Sequence, residues 1–570
     1  MTAPASGTVA SRTLWQAWLG LFLLFAAFAH GNLETTDSAM TMHGARALWL
    51  RGDSGLLPSA QGAQWLAEGV IADEIARHEG EPAPRYGKKG RDGVRRYVWF
   101  PMGHLWLMVP CVAAGEALAR TFPQVEERYR AVAGDNYLFG QFTFDQAAVA
   151  LVLPAASGAS IGVLLFLIAL ALGCDRRSAA LCAAAILLGT QCFALGRETL
   201  SDGPGLACLL GALLAVVRVH AGDLRRRTLW LGGVAAGMAV LTRYPHGLLV
   251  PPLALAVLLA LRHRCRMGAF AWFALGGLPF AVLLCAVNHA RYGSMSDTGY
   301  PPFTSWFNYP LWFGVSKLLI AAGKGILWLS PMLWLALPAA ARRSRPLALR
   351  WLAWTLFAIP LVLFGMTNGW QSGQCWGARY VTPAVVAMLA LVLPQSEPWR
   401  HRPRTFWALF AVGLGLAVTS VVAPTRGAQQ LAAQGVEAMY ANRLAEGRIT
   451  AADFASAKDD PADHFSFQPR FSPIHLHWHY AIRSATGGFE DDAGAPRQGA
   501  EFTIEPLFGI RSAEPAYGRA PSHWEDRGGR HLWFCFWGTL LGVSSWLLVL
   551  IPLVPAVALL WAFGRGLSKN

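Results

Sequence analysis

With 570 residues, 54% of them hydrophobic and only 14% charged, the chain is too apolar for a water-soluble domain of its size. Its net charge of +14 does not point to nucleic acid, because the basic residues cluster in short loops between apolar runs, where they set topology. Nine cysteines without a CxxC pair exclude a zinc motif or a disulfide framework, and most sit inside apolar runs as small packing residues.

A spanning helix needs about 20 mostly apolar residues, and the first such run covers 14–32. It lacks a small-residue cleavage site and further spans follow it, so it reads as a retained anchor and not a signal peptide. A long loop over 33–142 comes next. Further spans are expected at 144–172, 178–197, 203–219, 228–244, 246–262, 268–289, 324–341, 348–366, 377–393, 405–423 and 532–560. This predicts an all-α polytopic membrane protein of roughly 11–13 transmembrane helices. Its organisation is a transmembrane core over 1–423, an outer segment over 424–531, and a last helix with a cytoplasmic tail over 532–570.

The clusters Arg176-Arg177, Arg225 to Arg227, Arg262/Arg264/Arg266, Arg342/Arg343/Arg345 and Arg400/Arg402/Arg404 fall at every second connection. The positive-inside rule then makes those loops and both termini cytoplasmic. The run 100–119 disturbs this count, since a full span there would move every later basic loop to the other side. It is therefore expected to be interfacial or re-entrant within the first outer loop.

The outer connections carry the charges that topology does not explain. Asp37 follows the first span in Asn32-Leu33-Glu34-Thr35-Thr36-Asp37-Ser38; read alone, that is a solvated helix end. The stretch from Arg85 and Tyr86 through Lys88, Lys89 and Arg91 to Tyr97 is a basic cluster on the face that disfavours one. Cations beside the headgroup plane suit a lipid-linked phosphate, because Lys and Arg donate charge-assisted hydrogen bonds to its oxygens. Arg197-Glu198-Thr199-Leu200-Ser201-Asp202, Thr242-Arg243-Tyr244-Pro245, Gly323-Lys324-Gly325 and Gly377-Ala378-Arg379-Tyr380 each lie at an outer span end. Ionisable groups at membrane depth are costly and tend to line a cavity. One such arginine merely snorkels; a series of them on one face suggests a shared anionic ligand.

In this order the motifs resemble the bacterial lipid-carrier-dependent glycosyltransferases of the C-type membrane superfamily, the protein-mannosyltransferase and aminoarabinose-transferase-like group. The resemblance runs over roughly 14–395. It takes in Asp37, the basic segment before Pro101-Met102-Gly103-His104, Thr199 to Asp202, Leu241-Thr242-Arg243, Asn288 to Ser294, Asp297 to Tyr300, Gly323 to Pro331 and Trp376 to Pro383. Many relatives have an Asp-Glu pair after the first span where this chain has Asp37-Ser38, which puts a metal-bridging role in doubt.

The resemblance implies transfer of a sugar from a polyprenyl-phosphate donor to a lipid, glycan or protein acceptor on the periplasmic face of a bacterial inner membrane. Asp37 is the expected general base for the acceptor hydroxyl. Asp202 would orient that base, bind sugar hydroxyls or hold a divalent cation; no other cofactor is implied. Lys88, Lys89, Arg243, Lys324 and Arg379 are the expected donor-phosphate ligands, because preorganised cations stabilise the charge that develops on the leaving phosphate. Arg85, Tyr86, Glu198, Tyr300 and Tyr380 are the expected substrate contacts. A single displacement would invert the anomeric centre.

The outer segment contains His475-Leu476-His477-Trp478-His479, in which alternate imidazoles would share one face of a strand. An amphipathic interfacial segment anchored by Trp478 and Tyr480 is the simpler expectation. A transporter or lipid flippase is the main competing reading. Transporters carry internal repeats and charges near the midplane, whereas these charges sit at span ends. A non-catalytic lipid-binding or assembly protein ranks last.

Overall fold

Apolar runs fold as helices in a bilayer because the hydrocarbon offers the backbone no hydrogen-bond partner, and the architecture follows that rule. The computed structural model describes residues 10–31, 33, 35–58, 66–77, 86–133, 143–301, 303–342, 347–373, 375–459, 472–485, 502–503, 517–518 and 530–568. In chain order the first elements are α1 (Ser11–Ala27), α2 (Thr36–Arg51), α3 (Leu66–Arg77), the strands β1 (Gly87–Lys89) and β2 (Arg96–Val98), α4 (Met102–Thr121) and α5 (Pro123–Ala133). They are followed by α6 (Thr143–Ala171), α7 (Arg176–Leu188), α8 (Asp202–Ala221), α9 (Arg226–Thr242), α10 (Val250–Arg262) and α11 (Phe270–Tyr292). Later helices are identified by their residues.

The chain is a polytopic all-α membrane protein. Among the described residues, eight helical stretches are long and apolar enough to cross a membrane. Several expected spans are interrupted, the last of them just before one of these eight helices. The 178–197 run stops at Leu188 and resumes as a 3-10 turn over Gln191–Gly196. The 324–341 run is interrupted at Ser330-Pro331 before Leu333–Ala341. The 377–393 run opens with the 3-10 turn Arg379–Val381 ahead of Thr382–Ser396. In 532–560, Gly542 at φ 70° caps Trp533–Leu541 and separates it from Ser545–Ser568. Irregular backbone is tolerated at membrane depth only where protein or a cavity supplies partners, so these breaks mark where buried polar side chains are needed.

Small residues let the helices approach closely. A Cβ on Gly233 would lie 1.9 Å from the Phe273 carbonyl oxygen, so α9 and α11 cross with backbones in contact. Loops expected on one side gather at one end of the bundle. Arg400 pairs with Asp175 at 2.5 Å, and Arg264 donates to the His220 carbonyl at 3.1 Å. At the other end His30 bridges to Leu532, and Asp37 meets Arg379.

The run expected as interfacial or re-entrant is α4, a 20-residue helix with Pro110 inside it. Its length and composition would allow a crossing. Its neighbours show where it runs: a Cβ on Gly103 would touch the backbone of Leu241 and Thr242, and one on Gly115 the backbone of Asp145. It thus starts where α8 begins and α9 ends, and lies antiparallel beside the first half of α6, on the Asp37 side of the bundle. Arg46 of α2 pairs with Glu116 and Asp145 between these helices.

The outer segment folds partly as the helices Thr425–Ala445, Ala451–Asp459 and Pro473–Ala485, with Phe502–Thr503 pairing antiparallel to Tyr517–Gly518. The histidine run is therefore helical, not a strand. Hydrophobic alternation over five residues cannot separate the two conformations, and packing decides: Leu476, His477 and Tyr480 turn inward while Trp478 stays 44% exposed.

Candidate functional site

Asp37 lies in the first turn of α2, whose start is set by Thr35: its hydroxyl accepts from the Ser38 N–H at 3.2 Å, as an N-cap does. Ser38 Oγ donates to the Thr199 carbonyl at 3.1 Å, and His104 Nε2 lies 3.1 Å from the same oxygen. One carbonyl thus ties the starts of α2 and α4 to the turn that carries Asp202.

Asp202 begins α8 and is fully buried; Arg243 Nη1 donates to its Oδ2 at 2.9 Å and to Ser201 Oγ at 3.2 Å. Arg379 reaches both acids: its Nη2 donates to Asp37 Oδ2 at 3.1 Å and its Nη1 lies 3.9 Å from Asp202 Oδ2. The result is an alternating chain, Asp37, Arg379, Asp202, Arg243. Both guanidiniums sit 5.0 Å from the ring centre of Tyr380, within cation–π range, and Phe364 stacks on that ring at 4.7 Å.

The chain is neutral as it stands, yet Asp202 Oδ1, Arg379 Nε and Thr242 Oγ1 are buried without a hydrogen bond among the described residues. Buried polar atoms are almost always paired; a donor and an acceptor left open at one point suit a ligand. Asp37 is the accessible member, with 31% of its side chain exposed against 0% for Asp202. Beside Arg243 and Tyr380 a narrow cleft runs between the 3-10 turn Tyr244–Leu249, which leads into α10, and the Leu347–Gly365 helix. Its walls are Pro245, His246, Leu249, Ile359, Pro360, Leu363, Phe364 and Pro383. The cleft is apolar along its length and cationic at its head.

The remaining expected site residues take other positions. Lys324 is buried, and its ammonium donates to the carbonyls of Gly373 at 3.3 Å, Cys375 at 2.6 Å and Gly377 at 3.0 Å. A lysine has three donors, and these three carbonyls take them up. Glu198 Oε1 accepts from the Trp376 N–H at 2.7 Å. These two residues support the loop that carries Arg379 and do not line the cleft. The loop needs that support: Ser372, Gly373 and Gly377 all have positive φ.

Lys88, on β1, pairs with Asp297 at 2.6 Å and lies 5.9 Å from the ring centre of Tyr292. Lys89 points to the other side of the strand and is exposed. Arg85 and Glu34 lie outside the described residues. Tyr300 joins the hairpin to the centre. It stacks on Trp99 at 5.3 Å, Tyr86 lies 6.5 Å beyond Trp99, and Tyr244 meets Tyr300 edge-on at 5.9 Å. Burial pushes the Tyr300 hydroxyl well above its ordinary range, with Tyr244 adding to the shift and Arg243 opposing it. It therefore stays protonated and can donate.

Sequence reasoning placed Ser201 in the Thr199 to Asp202 motif without a role of its own, and missed Trp99 and Gln191, whose Oε1 accepts from the Ala378 N–H at 3.3 Å. Trp99 had a signal, an aromatic run next to the basic hairpin. Gln191 sits in an apolar stretch and had none. Among the described residues no three His, Cys, Asp or Glu side chains lie close enough together to hold a metal ion.

Residues 137–289 match the family profile described as dolichyl-phosphate-mannose-protein mannosyltransferase. That stretch holds Glu198, Asp202 and Arg243, while Asp37, Lys88, Lys324 and Arg379 lie outside it. The likeness to C-type membrane glycosyltransferases drawn from the motifs agrees with this match. No curated protein matches the chain. The chain is similar to two crystal structures of ArnT from Cupriavidus metallidurans. The apo form has 16% identity and a TM-score of 0.42, over 82% of this chain and 76% of that one. The form bound to undecaprenyl phosphate has 17% identity and a TM-score of 0.45, over 83% and 78%.

Proposed function

From the premise that residues 137–289 carry the mannosyltransferase family's pattern, we propose that this protein transfers a sugar from a polyprenyl-phosphate donor to an acceptor hydroxyl. The observation that carries the reading is the Asp37, Arg379, Asp202, Arg243 chain at the head of an apolar cleft. A polyprenyl-phosphate sugar has the matching form, a long apolar tail ending in an anion. The tail enters along the cleft between the Tyr244–Leu249 turn and the Leu347–Gly365 helix, and the phosphate meets Arg243 and Arg379.

The acceptor oxygen bonds to the anomeric carbon as the bond from that carbon to the phosphate oxygen breaks. The acceptor proton passes to Asp37, and polyprenyl phosphate leaves. Asp37 suits the base because it is the exposed acid and stands across Arg379 from the buried one; a positioned carboxylate of this kind contributes roughly 10²–10⁴ in rate. Arg379 links the two halves of the reaction. As negative charge grows on the departing phosphate, its guanidinium shifts weight from Asp37 to the phosphate, leaving that carboxylate free to take the proton. Asp202 holds both guanidiniums in place, and donors fixed in a water-poor site stabilise developing charge without reorganising. Direct attack inverts the anomeric centre. The outer end of the bundle is then the periplasmic face of a bacterial inner membrane, and the acceptor is a lipid, glycan or protein hydroxyl.

The test is turnover of polyprenyl-phosphate sugars by the purified protein in nanodiscs, comparing wild type with Asp37→Asn. Wild-type transfer with the variant reduced a hundredfold or more is the expected result. If the wild type consumed no such donor while a lipid or solute crossed proteoliposomes, a transporter reading would replace this one.

A further inference from the structure

The outer segment, which the reaction just described leaves without a part, makes a series of contacts around one loop. His477 of the Pro473–Ala485 helix is fully buried and meets the Trp376 ring edge-on at 4.9 Å. Gln429 of the Thr425–Ala445 helix donates to the Cys375 carbonyl at 3.4 Å, the same oxygen that accepts from Lys324. Ser472 Oγ donates to the Ala322 carbonyl at 3.1 Å, in the turn that presents Lys324. Ile474 packs with Ala194, Leu329 and Trp376. From below, the same loop is held by Lys324 and by Glu198.

The loop cannot hold its own shape. Positive φ at Ser372, a non-glycine residue, costs free energy that the surroundings must supply. Its far end is Arg379, which spans Asp37 and Asp202. A guanidinium that must reach two carboxylates from different helices tolerates little displacement of its backbone, and a shift of about 1 Å in a catalytic group can cost on the order of 10²-fold in rate.

We propose that the Thr425–Ala445 and Pro473–Ala485 helices are a clamp on the 372–379 loop, and that Gln429 and His477 are positioning residues that set Arg379 across the two acids. The inference rests on the transferase reading for its kinetic part; the clamp itself does not. Neither residue touches the cleft, so each acts only through the loop between them.

The experiment combines two measurements on the full-length protein in nanodiscs, for wild type, His477→Ala, Gln429→Ala and His477→Phe. Amide hydrogen exchange followed by mass spectrometry reads the loop directly. Faster exchange across 372–379 in both alanine variants, with α2 unchanged, is expected, and His477→Phe should restore protection because it keeps a ring against Trp376. Transfer kinetics with a polyprenyl-phosphate sugar should show kcat lowered about tenfold in the alanine variants, with donor KM within about twofold and recovery in His477→Phe. Unchanged exchange in both alanine variants overturns the clamp. Faster exchange with unchanged kcat overturns the positioning role. Exchange that responds as expected, in a protein whose wild type transfers no sugar, supports the clamp and defeats the transferase reading instead.

Discussion

The Arg243–Asp202 and Lys88–Asp297 pairs are both close ion pairs at the same end of the bundle, at 2.9 and 2.6 Å, and they differ in what water does to them. Asp202 has no exposure and Arg243 has 9%, whereas Lys88 is 49% exposed and Asp297 24%. Removing charges from water costs several kcal/mol per ion, repaid only by good geometry and further hydrogen bonds. An exposed pair avoids that cost and gains little. The shorter distance therefore belongs to the less consequential pair. Burial, and not separation, separates the centre from its rim, and the predictions below bear on that contrast in order of decreasing effect.

Asp37→Asn should lower transfer by roughly 10²–10⁴ while leaving the unfolding midpoint almost unmoved, since the amide still accepts from Arg379 in a partly exposed place. Steady-state rates and a thermal melt on the same sample check both halves. Asp202→Ala should do the opposite in emphasis. It leaves Arg243 and Arg379 without their shared counter-charge, at a cost of about 3–5 kcal/mol in stability, readable as a lower midpoint in denaturant titration. Arg379→Gln should cost about 10²–10³ in kcat, the size seen when one donor to a developing oxyanion is removed. A drop in donor affinity alone, with kcat unchanged, would move Arg379 from the transition state to ground-state binding. At the bottom of the scale, a double-mutant cycle on Lys88→Ala and Asp297→Ala should give a coupling of less than about 1 kcal/mol that fades with salt. A coupling of several kcal/mol would mean that the hairpin is as closed to water as the centre.

Much of the centre was legible. Asp37, Asp202, Arg243 and Arg379 each sit where an apolar run meets a break, and an ionisable group there is conspicuous against a sequence with so few charges. Lys324 is equally conspicuous and was placed differently, because a lysine beside glycines looks the same whether its ammonium meets a phosphate or a turn of backbone. The carbonyls that take it come from Gly373, Cys375 and Gly377, some 50 residues further on. Glu198 is a similar case, with the Trp376 N–H as the partner of its Oε1. The histidine run shows another limit: five residues are too few for a period to declare itself, and its helix is set by what lies beneath.

By itself, the sequence determined that the chain crosses a membrane many times, which loops share a side, and which charges topology leaves over. Those properties follow from hydropathy and charge counted along neighbouring residues, and solvent acts on them locally. Only the tertiary structure decided which of the leftover charges meet. Asp37 and Arg379 are 342 residues apart in the chain and 3.1 Å apart in space. Around that contact lie a 3-10 turn ahead of Thr382, a positive φ at Ser372 and two outer helices packed on the loop, none of which a local pattern of side chains records.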